Sequence, residues 1–113
     1  MTLDLTVWVR TESEPNKREH WAAKAKRAKR QRAAVANVLQ CYQRRQTPCT
    51  VRLSRIAPRK LDDDNYVIAL KAVRDEVATW LGVDDGSALV SWEYGEQTKG
   101  LVREYAVRIE VNP

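Results

Sequence analysis

The chain has 113 residues, of which 43% are hydrophobic and 31% are charged, with four glycines, four prolines and a net charge of +5. This length supports one domain with a single modest core, and this composition excludes an intrinsically disordered chain. No apolar run approaches the roughly 20 residues that cross a bilayer, and Asp4 stands where a secretory signal carries base, so we expect a cytoplasmic protein with no membrane partner.

The first third of the chain predicts a strand followed by a long helix. Leu or Val occupies every second position from Leu3 to Val9, which indicates a half-buried strand over roughly residues 2–10. Asn16 and Glu19 resemble a capping box, and no Gly or Pro interrupts the helix that we expect to follow, to about Arg44. We expect its N-terminal half to be solvated and its C-terminal half buried. Its apolar positions recur at helical spacing: Trp21, Ala25, Ala28, Val35, Val38, Leu39 and Tyr42.

The remaining two thirds predict a second helix and three more strands. Residues 49–54 alternate as a strand, and residues 55–60 form a basic loop that leads to a helix from about Asp64 to Leu81. Gly82 stands where a left-handed residue ends a helix. Residues 88–94 and 101–111 alternate again and are joined by residues 95–100 as a hairpin loop. The predicted order is βαβαββ: an α+β fold in which a mixed sheet packs against two helices, with residues 1–113 as a single domain.

The net charge of +5 conceals a division along the chain. Residues 16–60 carry a balance of +13, whereas residues 61–113 carry a balance of −6. Nucleic acid is the commonest partner of such a basic region, and a solvated face that keeps the protein soluble is the simpler alternative. Contacts of this kind would position DNA without reading its sequence. The candidate phosphate contacts are Lys17, Arg18, Lys24, Arg27, Lys29, Arg30, Arg59 and Lys60.

Two clusters of carboxylates bracket the second helix. Asp62-Asp63-Asp64-Asn65 opens it, and the pair Asp84-Asp85 follows its end. Helix capping explains one or two of these acids, but like charges this close repel unless a cation neutralises them. Oxygen ligands favour Mg²⁺ or Mn²⁺, and such an ion can activate water and stabilise charge on a phosphodiester. Asp62 and Asp64 face one ion if residues 61–64 are extended, and the second pair joins them only if the following strand folds back.

The pattern Asp62-x-Asp64-Asn65, then a helix, then Gly82-x-Asp84-Asp85 resembles the RusA-type Holliday junction resolvases and their phage-borne relatives. The motifs extend over residues 61–87, and the chain length and βαβαββ order agree over the whole domain. In that family, the metal ligands are the two aspartates of D-x-D-N and the second aspartate of the later pair. These match Asp62, Asp64 and Asp85, and Asp84 is a further candidate ligand.

The resemblance implies a homodimeric, magnesium-dependent endonuclease of DNA recombination and repair, in which Mn²⁺ can replace Mg²⁺. Such an enzyme binds branched DNA, takes no small-molecule substrate and resolves four-way junctions by paired symmetric nicks. The family's prototype has a functional lysine one helical turn after D-x-D-N, where this chain has Ile68. Lys71, two turns after Asp64 on a similar face, is the nearest substitute and joins the three aspartates as a candidate catalytic residue. Arg59 and Lys60 are alternatives.

Two other functions suit the same residues: a junction-binding module of this fold that cleaves weakly or not at all, and a structural protein whose acids bind calcium or magnesium. Either helix could supply the dimer contact.

Cys41 and Cys49 fit no zinc spacing and are expected to be free, buried thiols, with a disulfide as the alternative. The other expectations are core positions for Trp21, Trp80 and Trp92, an exposed Trp8, a solvated outer pair of Arg74 and Asp75, and no role for His20.

Overall fold

Alternating apolar residues build the central sheet of the protein, whose computed structural model describes residues 2–11 and 21–113. On the strands, every second side chain points into a core shared with the helices, and Leu5, Leu53 and Ile109 lie side by side within it. The elements of the described ranges are β1 (Leu3–Val7), α1 (Trp21–Leu39), β2 (Cys49–Ala57), α2 (Asp63–Ala69), α3 (Lys71–Leu81), β3 (Val90–Tyr94), β4 (Thr98–Lys99) and β5 (Ala106–Asn112). This confirms an α+β domain with a mixed sheet.

The strands are arranged in the order β1-β5-β2-β3, and β4 pairs with β2 beyond the end of β3. β5 is antiparallel to both β1 and β2, whereas β3 and β4 run parallel to β2. The predicted hairpin between the last two strands is therefore wrong. The physical reason is burial: Val107, Ile109 and Val111 are almost wholly buried, and a central position between β1 and β2 covers them.

The first helix confirms the predicted contrast between its halves. Val35 and Leu39 are buried, and the helix packs against α3 and β1, whereas most of the first ten residues are exposed. Trp21 is 75% exposed, so its predicted core position is wrong: it is the first residue of α1 and lies in the half that is mostly exposed. The helix ends at Leu39, five residues before the predicted end at Arg44. The predicted capping residues Asn16 and Glu19 lie outside the described residues.

The predicted second helix is two helices that meet at Leu70. Leu70 has φ −98° and ψ 5° and is fully buried, so the chain departs from helical geometry at a core residue. Two backbone hydrogen bonds still cross the junction. Leu70 N donates to Tyr66 O at 3.2 Å, and Arg74 N donates to Leu70 O at 2.9 Å. Gly82 ends α3 with φ 77°, which confirms the predicted left-handed residue.

Several strand limits differ from prediction because tertiary contacts set them. β1 is shorter than residues 2–10, and the last two long strands begin at Val90 and Ala106 rather than at residues 88 and 101. β2 continues to Ala57, so Arg55 belongs to a strand and not to a basic loop. Trp8 is 69% exposed, as predicted, while Trp80 and Trp92 are partly buried against the core.

The two cysteines are free thiols, but only Cys49 is buried. Burial raises the pKa of the Cys49 thiol, which disfavours its thiolate. Across the described ranges, no helix combines the length and the apolarity that are needed to cross a bilayer.

Candidate functional site

The Asp62–Asp64 segment forms the start of α2. Asp62 has extended backbone geometry, with φ −68° and ψ 167°, and its Oδ1 accepts the Asn65 N–H at 3.1 Å. Asp62 is therefore the helix cap, and Asp63 and Asp64 lie in the first turn. All three carboxylates are exposed to solvent at this helix start, where the helix dipole favours negative charge.

The residue before this segment is held by a side chain from the β3–β4 connection. Gln97 Nε2 donates to Leu61 O at 2.7 Å, and Leu61 N donates to Gln97 Oε1 at 2.9 Å. One amide group thus satisfies both backbone groups of Leu61, as a neighbouring strand would. Because Asp62 follows directly, these two bonds position the backbone from which the carboxylate cluster starts.

Tyr66 holds the first turn of α2 against the sheet. Its hydroxyl accepts a hydrogen bond from the Arg55 N–H at 3.1 Å. The same hydroxyl donates its single proton to either of two carbonyl oxygens, Gly95 O at 2.8 Å or Leu53 O at 3.2 Å. It thereby fills the gap in hydrogen bonding between the end of β3 and the start of β4. Burial raises the pKa of the Tyr66 phenol, so the neutral, donating form persists to higher pH.

The Asp84–Asp85 turn is held against α3 by Arg74. Arg74 Nη2 donates to Asp85 O at 2.9 Å, Nη1 donates to the Tyr94 hydroxyl at 3.3 Å, and the guanidinium lies 4.7 Å from the centroid of the Trp92 ring. The predicted solvated pair of Arg74 and Asp75 is therefore wrong. Arg74 faces the sheet, because the turn and β3 fold back over this side of α3.

The side chain of Asp85 lies near Lys71. Lys71 Nζ is 3.8 Å from Asp85 Oδ2 and 3.3 Å from Asp75 Oδ1, so one ammonium contacts two carboxylates. The prediction required the chain to fold back beside the start of the helix that carries Asp62 and Asp64, whereas the structure brings Asp85 to Lys71, at the start of α3. In the part of the chain that the structure describes, no three His, Cys, Asp or Glu side chains come together as a metal-binding group. Asp62, Asp64 and Asp85 are therefore not gathered into one such group, and Asp84 is exposed beside Asp85.

The candidate phosphate contacts fall into two groups. Lys24, Lys29 and Arg30 are exposed on the first half of α1, with Arg27 half-buried among them. Arg59 and Lys60 are exposed directly before the carboxylate segment. Lys17, Arg18 and His20 lie outside the described residues.

Arg55, which the sequence placed in a basic loop, instead stabilises the base of the site. It is 5% exposed, and its guanidinium donates to Thr11 Oγ1, to Thr11 O and to Arg59 O at 2.7–3.0 Å. The bond to Arg59 O fixes the chain three residues before Asp62. A buried arginine bonded to backbone oxygens cannot at the same time contact phosphate, so Arg55 has a structural role.

Sequence reasoning located the carboxylates but missed the residues that hold them: Gln97, Tyr66 and Arg74. Tyr66 is buried one helical turn before Leu70, and this spacing carries no information on a hydroxyl that bonds the sheet. Gln97 follows no periodicity, and no signal in the sequence connects it with Leu61.

The exposed oxygens of Asp62, Asp63 and Asp64, close to exposed bases, suit a site that holds a hard cation next to a polyanion. Asp62 can cap the helix through one oxygen and bind a cation through the other. The chain matches no protein-family model and no curated protein.

Proposed function

We propose that this chain is a magnesium-dependent, structure-selective DNA endonuclease of the RusA type, which acts in the cytoplasm as a homodimer and nicks four-way junctions symmetrically. The observation that carries the proposal is the D-x-D-N segment: its carboxylates are exposed at the start of α2, and Gln97 and Tyr66 hold the backbone there. Capping and the helix dipole account for one or two of these acids, and a bound cation would account for all three.

Basic groups on two sides support a nucleic-acid substrate. Arg59 and Lys60 precede the carboxylates directly, and the first half of α1 presents exposed lysines and arginines. Attraction of phosphates to these groups would bring a DNA backbone to the exposed aspartates. Symmetric cutting of two strands needs two copies of the site in fixed relation, which supports a two-fold symmetric dimer.

Asp62, Asp64 and Asp85 would hold Mg²⁺, because carboxylate oxygens are the ligands this ion prefers. The bound ion would activate water and stabilise the charge that develops on a cleaved phosphodiester. The Asp62–Asp64 segment fits this role as it stands, since it is exposed and its backbone is fixed. Asp85 must turn its carboxylate away from Lys71, with which it makes an exposed contact at 3.8 Å.

A second candidate, a junction-binding module without cleavage, is favoured by one observation. Lys71, the only candidate substitute for the family's lysine within α3, contacts Asp75 and Asp85, and residue 68 is isoleucine. A chain that had lost catalysis would retain the fold, the basic surfaces and affinity for branched DNA.

One experiment separates these candidates. Purified protein is incubated with end-labelled four-way junction or linear duplex, in Mg²⁺ or in chelator, and the products are mapped on both strands. Asp64→Asn is compared with Asp63→Asn, which removes the same charge from the neighbouring residue of the same helical turn. Binding is measured in parallel in chelator.

The nuclease is expected to give symmetric, Mg²⁺-dependent nicks in the junction. Asp64→Asn should reduce their rate by about 100-fold or more, the scale of losing one electrostatic group that acts on a transition state, while Asp63→Asn changes it little. Tight junction binding without product in Mg²⁺ or Mn²⁺ would instead favour the binding module. Equal loss in both variants would show that charge, rather than Asp64 itself, is needed, and indifference to DNA would overturn both candidates.

A further inference from the structure

A groove runs between the first half of α1 and the face of α2 and α3 that carries Ile68 and Lys71. Its volume is about 340 Å³. This lies in the range of roughly 300–1,000 Å³ typical of pockets for small ligands, and it is large enough for one nucleotide. Towards the C-terminal end of α1, beyond the groove, Val35 and Leu39 are buried in the core.

The lining of the groove has two chemical halves. Ala28 from α1 and Ile68, Ala69 and Ala72 from the facing helices supply apolar surface. Ile68 is 53% exposed, which is high for an isoleucine on a helix packed against a sheet. The small alanines on both sides leave the space between the helices open.

Positive charge dominates the polar part of the lining. Among the residues that the structure describes, Lys24, Arg27, Arg32 and Lys71 line the groove together with one acid, Asp75. Arg32 is engaged by Glu76 at 3.1 Å, and Lys71 contacts Asp75. Lys24 is an exposed cation of the lining, so a ligand that combines an anion with an apolar or planar body suits this groove.

We propose that this groove is a subsite for one unpaired nucleotide of a DNA strand. Lys24 contacts its phosphate, and its sugar and base lie against Ala28 and Ile68. The proposal rests on the proposed function, because DNA is the ligand that this function brings to the surface. It adds a specific contact to the general attraction of a basic helix, since a sugar and base that lie against Ala28 and Ile68 bury apolar surface from water.

Helix geometry provides matched controls for this proposal. At about 100° per residue, Lys24 and Lys26 point to opposite sides of α1, and Ala28 and Ala33 are also well separated. Lys24 and Ala28 line the groove, whereas Lys26 and Ala33 are exposed outside this lining. Each pair therefore gives the same chemical change inside and outside the groove, on exposed helix positions that tolerate it.

The test measures binding of a fluorescently labelled single-stranded oligonucleotide and of a four-way junction by anisotropy, in chelator, over a series of salt concentrations. Lys24→Glu is compared with Lys26→Glu, and Ala28→Trp with Ala33→Trp. Circular dichroism checks that each variant is folded.

We expect Lys24→Glu and Ala28→Trp each to weaken single-strand binding by about tenfold, the effect of roughly 1.4 kcal/mol, and the two controls to change it by less than about threefold. Lys24→Glu should also reduce the slope of log affinity against log salt by about 0.7 more than Lys26→Glu does. Equal weakening by both charge reversals, or unchanged binding in Ala28→Trp, would overturn the subsite. Metal-dependent nicking that depends on Asp64 would then still support the nuclease.

Discussion

The two acidic segments of the proposed site are held in different ways. The Asp62–Asp64 segment is fixed through its backbone, because Gln97 bonds Leu61 and Tyr66 bonds the sheet. In the Asp84–Asp85 turn, Arg74 fixes the backbone of Asp85, but the Asp85 carboxylate makes an exposed contact with Lys71 at the longer distance of 3.8 Å. Exposed ion pairs contribute little free energy, so the Asp85 side chain can turn at small cost while the first segment stays in place.

The guanidinium of Arg74 makes the contacts that hold the Asp84–Asp85 turn against α3. We expect Arg74→Ala to lower the free energy of unfolding by about 3 kcal/mol, because it removes the bonds to Asp85 O and Tyr94 and the stacking on Trp92. Denaturant unfolding measures this change. Nicking should fall as well, since Asp85 is no longer held near α3.

Arg30→Ala is the matched control for this prediction, because Arg30 is exposed on α1. It should change stability by less than about 0.5 kcal/mol. Arg74→Lys keeps the charge but cannot donate in two directions as a guanidinium does, so we expect an intermediate loss of stability. Equal stability of Arg74→Ala and Arg30→Ala would show that the turn is held by other contacts.

The Asp62–Asp64 segment is tested by Gln97→Ala, with the exposed neighbour Glu96→Ala as control. Gln97→Ala should lower the free energy of unfolding by about 1–2 kcal/mol, because two hydrogen bonds are lost. The loss is moderate because both backbone groups of Leu61 can bond to water instead. Hydrogen exchange of the Leu61 amide, followed by NMR, is the direct measurement. Faster exchange in Gln97→Ala alone is expected, and unchanged exchange would mean that Gln97 does not hold the segment.

Local patterns predicted the fold class and most of its elements but not the arrangement of its strands. The alternation in residues 3–9, 49–53 and 107–111 marked buried faces, and Gly82 marked the end of a helix. Alternation shows which side of a strand is buried and carries no information on which strand lies next to it. The central position of β5 and the parallel pairing of β3 depend on contacts between distant residues.

The candidate site shows the same limit. Asp62, Asp64 and Asp85 could be selected from the sequence because acids in succession are costly without a cation. Gln97 lies 36 residues from Leu61, and its amide side chain resembles that of any polar loop residue. Arg55 begins a segment with the composition of a basic loop, and only the tertiary structure shows that its side chain is buried.

The smallest effect on stability is expected from Lys71, although it lies between Asp75 and Asp85. Lys71→Ala removes two exposed ion pairs and should lower the free energy of unfolding by no more than about 0.5 kcal/mol. If Lys71 replaces the family's lysine, the same variant should reduce the rate of nicking by about tenfold, the loss of roughly 1.4 kcal/mol of transition-state stabilisation. Single-turnover assays with the labelled junction measure this rate.

A second substitution separates a role in the reaction from a role in holding Asp85. Ile68 lies one helical turn after Asp64 and is 53% exposed, so a lysine there can reach solvent and the same side of the helix without loss of core packing. Ile68→Lys in the Lys71→Ala background should restore nicking if the reaction needs a cation on this face, because it returns a positive charge three residues before the position that contacts Asp85. Unchanged turnover in Lys71→Ala alone would eliminate Lys71 as the substitute. Loss of turnover without recovery in the double variant would instead assign Lys71 to positioning Asp85, which would make the less firmly held acidic segment the one that limits the reaction.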